Sequence, residues 1–211
     1  MLLGAFVEAR SPKKILDVGT GCGVLALMMA QRYPSAKITA IEIDENSCID
    51  ARKNFQSSTW SNRLQLIIDD FFQDSLPSNF DLIISNPPFH LENVISINER
   101  MDAAKHWSKR NVESFYHKCA ALSNTRGELQ LIIPFIWYEI HVDYAKRVGW
   151  NLYSKTMIHG NSIKVNLRTV LKFKRIDVDQ VQLSELTIRN DDGSYTNEYK
   201  ELTREYHGVS I

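Results

Sequence analysis

The sequence predicts an α/β fold, built on a mainly parallel sheet of seven strands with helices on both faces. Three observations predict it. Short apolar runs alternate with longer amphipathic segments along most of the chain. A glycine-rich turn directly follows the first apolar run. Carboxylate or amide residues directly follow the next three runs. Such an alternation is typical of βαβ units, whose crossover connections are right-handed.

The predicted strands are apolar runs bounded by charged or turn-forming residues. They are Lys14–Val18, Lys37–Ile43, Leu64–Ile68, Phe80–Ser85, Glu128–Pro134, Asn151–Met157 and Arg168–Lys174. The predicted helices repeat their apolar positions every three or four residues. They are Val24–Arg32, Glu45–Phe55, Val112–Leu122, Tyr138–Arg147 and a polar helix between Ser194 and His207. Gly127 is interpreted as the stop signal after Val112–Leu122.

The composition indicates a soluble globular protein. The chain has 211 residues, of which 44% are hydrophobic and 24% charged, enough for one sizeable core. No linker, repeat or low-complexity stretch divides it, so we predict a single domain over residues 1–211. The 25 basic and 25 acidic side chains cancel. A nucleic-acid substrate would therefore need a local basic patch, since non-specific binders are usually more basic.

The cysteines indicate a reduced, cytoplasmic protein. Cys22, Cys48 and Cys119 have no paired spacing, which disfavours both a disulfide framework and a zinc site. No His, Cys or Asp spacing indicates another metal, so we predict none. No apolar run approaches the roughly 20 residues that span a bilayer, so we predict no membrane association.

The first candidate site is the loop from Asp17 to Gly23, which contains Gly19 and Gly21 and opens a helix. Glycines permit tight turns and close approach of backbone to a ligand. A dinucleotide fingerprint would need its third glycine at the next position, which is Val24. The carboxylate of Asp17 suits an ammonium group better than a pyrophosphate. A purely structural turn between strand and helix remains the alternative.

Two further sites end the second and third strands. Glu42 is placed to accept hydroxyl groups of a ribose, as acids at this position do in nucleotide-binding α/β domains. Asp70 is placed to accept from an adenine amino group, with Phe71 flanking the ring. A solvated charge or a charged loop is the alternative for each. Together the three sites suit a ligand with an ammonium end, a ribose and a base, and S-adenosylmethionine has these parts.

The fourth strand is followed by Asn86, Pro87, Pro88 and Phe89. Prolines cannot donate to a sheet ladder, so the strand must end here. Asn86 therefore lies at the carboxyl edge of the sheet, where α/β proteins bind ligands. An amide, free carbonyls and an aromatic ring converge there, which predicts a receptor for a planar molecule that bears an amino group.

The stretch Lys14–Phe89 resembles class I S-adenosylmethionine-dependent methyltransferases that act on planar amino groups. Three stretches, Leu2–Ala5, Ile83–Phe89 and Tyr195–Thr203, are more closely similar to the bacterial tRNA1(Val) adenine-N6 methyltransferases. The resemblance implies a Rossmann-like class I methyltransferase fold. Its cofactor would be S-adenosylmethionine and its substrate the adenosine at position 37 of a tRNA anticodon arm. It also implies a cofactor half of about residues 1–85, a substrate half of about 86–211, and a monomer. Members of this family have a further segment before the first stretch, so we expect one upstream of Met1.

The resemblance also implies roles for the residues after the fourth strand. Asn86 and Pro87 would accept hydrogen bonds from adenine N6, while Phe89 would stack on the base. The predicted substrate-binding residues are Pro88, Phe89, Lys105, His106, Lys109 and Arg110. A second basic group, spread between Lys164 and Lys174, is a further candidate for phosphate contacts. For each lysine, a solvated charged surface remains the alternative.

Two other functions remain open. Glutamine-N5 methyltransferases of release factors share the Asn-Pro-Pro-aromatic motif, but they carry an additional amino-terminal helical domain. A non-catalytic protein that binds the cofactor or RNA is the alternative of a different class, although the complete motif at Asn86 to Phe89 disfavours it.

Overall fold

A computed structural model of the chain describes residues 2–73, 76–87 and 112–206. The strands within these residues are β1 (Lys14–Val18), β2 (Lys37–Glu42), β3 (Leu64–Ile68), β4 (Phe80–Ser85), β5 (Ser123–Pro134), β6 (Asn151–His159), β7 (Arg168–Lys174) and β8 (Gln182–Thr187). The α-helices are α1 (Leu2–Phe6), α2 (Val24–Arg32), α3 (Glu45–Ser57), α4 (helical residues 112–122), α5 (Tyr138–Arg147) and α6 (Asn197–Thr203). Short 3-10 turns occupy Ser61–Arg63, Phe135–Trp137 and Arg204–Tyr206.

The strands form one sheet in the order β3-β2-β1-β4-β5-β7-β6-β8. All pairs from β3 to β5 are parallel, β7 is antiparallel to both β5 and β6, and β8 is parallel to β6. The predicted α/β class and mainly parallel sheet are confirmed. All four parallel strand ends that carry candidate residues therefore lie at the same edge of the sheet.

The eighth strand, β8, was not predicted from the sequence. Four of its six residues are exposed, and only Leu186 is buried, so it has no regular apolar alternation. Its backbone pairs with β6 from Ser154 opposite Gln182 onward. The strand therefore depends on a tertiary partner rather than on its own sequence pattern.

Gly127 does not end a helix, which corrects that prediction. Helix α4 ends at residue 122, and β5 begins at once at Ser123. Gly127 lies inside β5, next to a shift in its pairing with β4. A Cβ atom on Gly127 would lie 1.9 Å from the Ser123 Oγ and 3.1 Å from the Phe80 carbonyl oxygen. Glycine suits this position because the Ser123 side chain and the Phe80 backbone both lie close to its Cα at this irregularity in the sheet.

The core lies on both faces of the sheet, as predicted. Ile83 packs into a cluster with α4 and α5, whereas its neighbours Leu82 and Ile84 pack into a cluster with α1, α2 and Phe55 of α3. Consecutive strand residues point to opposite faces, so both faces of β4 are buried. This burial explains why the strand is continuously apolar.

The carboxyl-terminal helix packs back on the body of the protein. Helix α6 begins after Thr196, whose Oγ1 accepts from the Tyr199 amide, and it lies within the predicted 194–207 segment. Beyond it, the Tyr206 ring lies 5.4 Å from the Arg32 guanidinium of α2. None of the helices within the described ranges has the length and apolar character of a membrane span.

Candidate active site

A cavity of about 730 Å³ opens where β1, β2 and β4 end, beside the short helix α1. Five residues predicted from the sequence line it together: Asp17, Gly19, Gly21, Glu42 and Asn86. These residues are up to 69 positions apart in the chain, and the parallel sheet brings them to one edge. The cavity is therefore the candidate active site.

Asp17 is the fully buried acid of this site. Its Oδ2 accepts a 2.6 Å hydrogen bond from the Thr20 hydroxyl, while its buried Oδ1 has no hydrogen-bond partner among the residues that the structure describes. Burial raises the pKa of Asp17 from 3.8 to about 7, with smaller opposing effects from the Thr20 hydroxyl and the Ala26 amide. A buried, unsatisfied carboxylate oxygen is costly, so it indicates a missing donor such as an ammonium group.

Glu42 holds the glycine-rich loop in place. One of its oxygens accepts from the Gly21 amide at 2.8 Å. The other accepts from the Ile43 and Asp44 amides at 2.9 and 3.0 Å. A carboxylate has about four lone-pair sites, so capacity remains for a ligand hydroxyl group. Asp44 caps α3 instead, through a 2.7 Å bond from the Ser47 amide.

The loop conformation requires its glycines. Gly19, Gly21 and Gly23 all have positive φ, at 68°, 57° and 84°. Gly23 is also sterically confined, because a Cβ there would lie 2.5 Å from Cε1 of Phe55 in α3, whereas a Cβ on Gly21 would meet no described atom within 4 Å. Gly23, the third glycine of the loop, thus allows the loop to pack closely against α3. In the dinucleotide fingerprint the third glycine would be at position 24 instead.

We expect Gly23→Ala to lower the free energy of unfolding by about 2–4 kcal/mol, because left-handed strain and overlap with the Phe55 ring add together. Gly149→Ala is the matched control, since Gly149 has a similar φ of 82° with no atom within 4 Å of its Cβ position. It should lose only about 1–2 kcal/mol from the left-handed conformation. Urea unfolding of the two variants measures the difference. Equal losses would show that the Phe55 contact is unimportant.

The first residue after β4, Asn86, lines the same cavity. β4 ends at Ser85, as the prolines require, and Asn86 is exposed to the cavity while Pro87 is partly buried. The buried Ser85 hydroxyl donates to the Val18 carbonyl at 2.7 Å. This bond ties the end of β4 to the end of β1, so it holds Asn86 close to the glycine-rich loop.

Several predicted substrate residues fall beyond the described part of the chain. They are Pro88, Phe89, Lys105, His106, Lys109 and Arg110. Their roles remain predictions.

Asp70 and Phe71 do not line this cavity. Asp70 Oδ1 accepts from the Phe72 amide at 3.0 Å, and Phe71 packs in the core with its ring 5.6 Å from that of Phe115. The neighbouring Phe72 is 46% exposed. Contact of Asp70 and Phe71 with an adenine ring therefore stays a prediction.

The wall of the cavity also contains three apolar residues without a predicted role and one residue of the second basic group. Leu2 and Leu3 of α1, Ile132 of β5 and Arg168 of β7 all line the cavity. Leu2 and Leu3 belong to a stretch that carried the family resemblance, and that signal was available in the sequence. Arg168 belongs to the second basic group. Because β7 is antiparallel to β5, Arg168 pairs with Pro134 at the end of β5, and this pairing brings Arg168 to the site.

Among the described residues, no three His, Cys, Asp or Glu side chains are grouped so as to hold a metal ion. The metal prediction covers the whole chain and remains a prediction.

Comparison with known proteins places the chain among methyltransferases. The family model described as "methyltransferase small domain" matches residues 1–133. A tRNA1(Val) (adenine(37)-N6)-methyltransferase of Proteus mirabilis is 31% identical over 98% of this chain and 84% of its own. The protein of the same name from Flavobacterium johnsoniae is 34% identical over 98% of this chain and 89% of its own.

Solved structures agree on the fold. The structure of a predicted O-methyltransferase from Agrobacterium tumefaciens superposes with a TM-score of 0.76, covering 100% of this chain and 97% of its own at 18% identity. TrmN from Thermus thermophilus superposes with a TM-score of 0.61, covering 82% of this chain and 47% of its own at 21% identity. At such identities the likeness shows the fold alone, a Rossmann-like methyltransferase fold.

Proposed function

Because the chain belongs to the methyltransferase small domain family and to the family of tRNA1(Val) (adenine(37)-N6)-methyltransferases, we propose that it methylates adenosine in tRNA. The methyl group comes from S-adenosylmethionine and is transferred to the exocyclic N6. The proposed target is the adenosine at position 37 of tRNA1(Val), next to the anticodon.

The observation that carries this proposal is the meeting of Asp17 and Asn86 in one cavity. No described residue donates to the buried Oδ1 of Asp17, and the ammonium group of S-adenosylmethionine would supply that hydrogen bond. Glu42 would accept from the ribose, and Asp70 from the adenine amino group. The cofactor supplies a methyl group bound to a positively charged sulfur, which is a strong electrophile.

Asn86 and Pro87 prepare the acceptor nitrogen. The lone pair of adenine N6 is delocalised into the ring, which makes the amino group a poor nucleophile. Hydrogen bonds from N6–H to the Asn86 side-chain oxygen and the Pro87 carbonyl would draw the nitrogen toward tetrahedral geometry. The lone pair then localises toward the methyl donor, and positioning of this kind supplies several kcal/mol of barrier reduction. Stacking of Phe89 on the base belongs to the same proposal.

The tRNA is proposed to dock through its anticodon arm. An adenosine in a stacked loop must be splayed outward to reach Asn86, at a cost of a few kcal/mol. Stacking on an aromatic ring returns about 1–3 kcal/mol. In this proposal, residues 1–211 form one domain and the protein acts as a cytoplasmic monomer.

Labelled cofactor tests the proposal directly. The protein is incubated with S-adenosylmethionine labelled in the methyl group, together with total tRNA from a strain that lacks the gene, or with release factor. We expect label in tRNA as N6-methyladenosine. The label should appear only when the tRNA comes from the strain without the gene, because its target adenosine is still unmethylated. Label in release factor alone would favour the glutamine-N5 activity, and no label in either would favour a binding protein.

A further inference from the structure

The loop that joins β6 to β7, residues 160–167, exposes several apolar side chains. Ile163 is 85% exposed, Val165 54% and Leu167 47%. Ile136, which is 72% exposed, lies close by, because the amide of the preceding Phe135 donates to the Leu167 carbonyl. Grouped apolar exposure of this kind marks an interaction surface, whereas single exposed side chains do not.

The loop is ordered by its own hydrogen bonds. The Gly160 amide donates to the Lys164 carbonyl at 2.7 Å, and the Leu167 amide donates to the Ile158 carbonyl at 2.9 Å. The Asn161 side-chain oxygen accepts from the Ile163 and Lys164 amides at 3.2 and 2.7 Å. The hydrogen bonds thus hold the backbone around Ile163 in one conformation. A partner that binds Ile163 therefore loses little free energy to ordering of the loop.

The loop borders the active site. β7 runs antiparallel to β5, so its first residue, Arg168, lies at the edge where the parallel strands end. Arg168 lines the same cavity as Asp17 and Asn86. A molecule that placed a reacting group at Asn86 would therefore meet this loop as it entered.

The charged side chains of the loop itself are cationic, although the Ser162 hydroxyl donates to Asp191 of the following turn. The side chains of Lys164 and Arg168 form no ion pair with any described residue. Further along β7, Lys172 lies 3.5 Å from Glu8 and Lys174 lies 3.8 Å from Glu128. Lys164 and Arg168, of which Arg168 lines the cavity, are thus the members of this basic group that remain available for a ligand's phosphates.

Beside the loop lie the partly buried Tyr195 and the buried Tyr199. The Arg189 amide donates to the Gly160 carbonyl at 3.0 Å, which holds the following turn against the loop. The Arg189 guanidinium lies 4.2 Å from the Tyr195 ring centre, and that ring stacks on Tyr199 at 4.8 Å. Cations, aromatic rings and apolar side chains together are typical of surfaces that bind unstacked nucleotides.

We propose that the 160–168 segment docks the RNA substrate beside the reacting adenosine. Ile163 and Val165 pack against bases that leave the stack, while Lys164 and Arg168 bind flanking phosphates. This inference rests on the proposed function. An anionic membrane surface shares the same chemistry, but RNA fits better because Arg168 lines a cavity that a flat bilayer cannot enter.

Ile163→Ala and its control, Leu183→Ala, test the apolar contact by equilibrium binding of unmodified tRNA. Leu183 is 70% exposed near the amino end of β8, at the sheet edge opposite the active site. We expect Ile163→Ala to weaken tRNA binding about tenfold, the usual effect of losing a buried isoleucine contact. Its Kd for S-adenosylmethionine and its Tm should not change, and Leu183→Ala should bind tRNA as the unaltered protein does.

The charge contact is tested by salt dependence. Lys164→Ala should reduce the slope of log Kd against log salt by about one, since one phosphate contact is lost. Its control is Lys37→Ala, because Lys37 is exposed at the start of β2, on the opposite edge of the sheet. The control should leave the slope unchanged.

The outcomes separate the two proposals. If the unaltered protein methylates tRNA but Ile163→Ala binds it as tightly as Leu183→Ala does, the docking inference is wrong and the proposed function stands. If the unaltered protein neither binds nor methylates tRNA, both are wrong. If binding to vesicles of phosphatidylserine and phosphatidylcholine, rather than to tRNA, depends on Ile163, the surface is a membrane contact and the inference is overturned.

Discussion

Asn86→Ala is expected to lower the rate of methyl transfer about a thousandfold, or about 4 kcal/mol, as removal of one positioned polar group at a reacting centre does. The alanine keeps the strand end and the prolines, but it removes the oxygen that would accept from adenine N6. Because Asp17 and Glu42 are unchanged, the Kd for S-adenosylmethionine should change little. Single-turnover methylation of tRNA and calorimetric titration of the cofactor measure the two quantities.

Asn62→Ala is the control for this prediction. Asn62 is also an exposed asparagine, but it precedes β3 on the opposite edge of the sheet. Its replacement should leave both rate and affinity unchanged. Near-normal turnover of Asn86→Ala would contradict the assigned role of the side chain. A parallel loss of cofactor affinity would instead place Asn86 in the binding of the methyl donor.

Asp17→Asn is expected to weaken the binding of S-adenosylmethionine about a hundredfold, or about 3 kcal/mol, because an ammonium group then meets a buried neutral amide. The variant keeps the shape of the side chain. Asp50→Asn is the control, since Asp50 is exposed on α3 and away from the cavity. Equal cofactor affinity of the two variants would show that the Asp17 carboxylate does not bind the ammonium group.

The pH dependence gives a second measurement on Asp17. Burial raises its pKa to about 7, so in the empty site the carboxyl is protonated below that pH. The association constant for the cofactor should therefore fall about tenfold for each pH unit below 7, as proton linkage requires. Asp17→Asn should remove this slope, and a slope that persists in the variant would assign the titration to another group.

The same raised pKa affects the stability of the empty protein. Between about pH 4 and pH 7 the folded state keeps a proton that the unfolded chain releases, so stability falls as pH rises through this range. Urea unfolding at several pH values measures this contribution. Asp17→Asn should abolish it, while Asp50→Asn should keep it.

Most elements of the fold were predictable because their apolar residues follow a local period. β4 is apolar on both faces, and the prolines after Asn86 mark its end. β8 was not predictable in this way, since its backbone is held by β6 while most of its side chains face solvent. The role of Gly127 was also not predictable, because its confinement comes from Phe80 and Ser123.

The residues of the candidate site were predictable where the ends of the strands could be located from the sequence. Asp17, Glu42 and Asn86 each directly end or follow a predicted strand, and parallel strands place such residues at one edge. The distance of Phe71 from the cavity was not predictable. Two adjacent phenylalanines have the same local signal, and packing against Phe115 decides that Phe71 enters the core.

The amino-acid sequence is enough to specify the α/β class, the strand ends that carry the polar residues, and the motif after β4. These features depend on local periodicity and on the backbone conformations of glycine and proline, both of which are set by residues close together in the chain. Three other features arise from tertiary packing: Asp17 has a buried oxygen to which no described residue donates, Arg168 reaches the cavity, and Lys172 pairs with Glu8. Burial and charge pairing depend on residues that are distant in the chain, so no local pattern contains them.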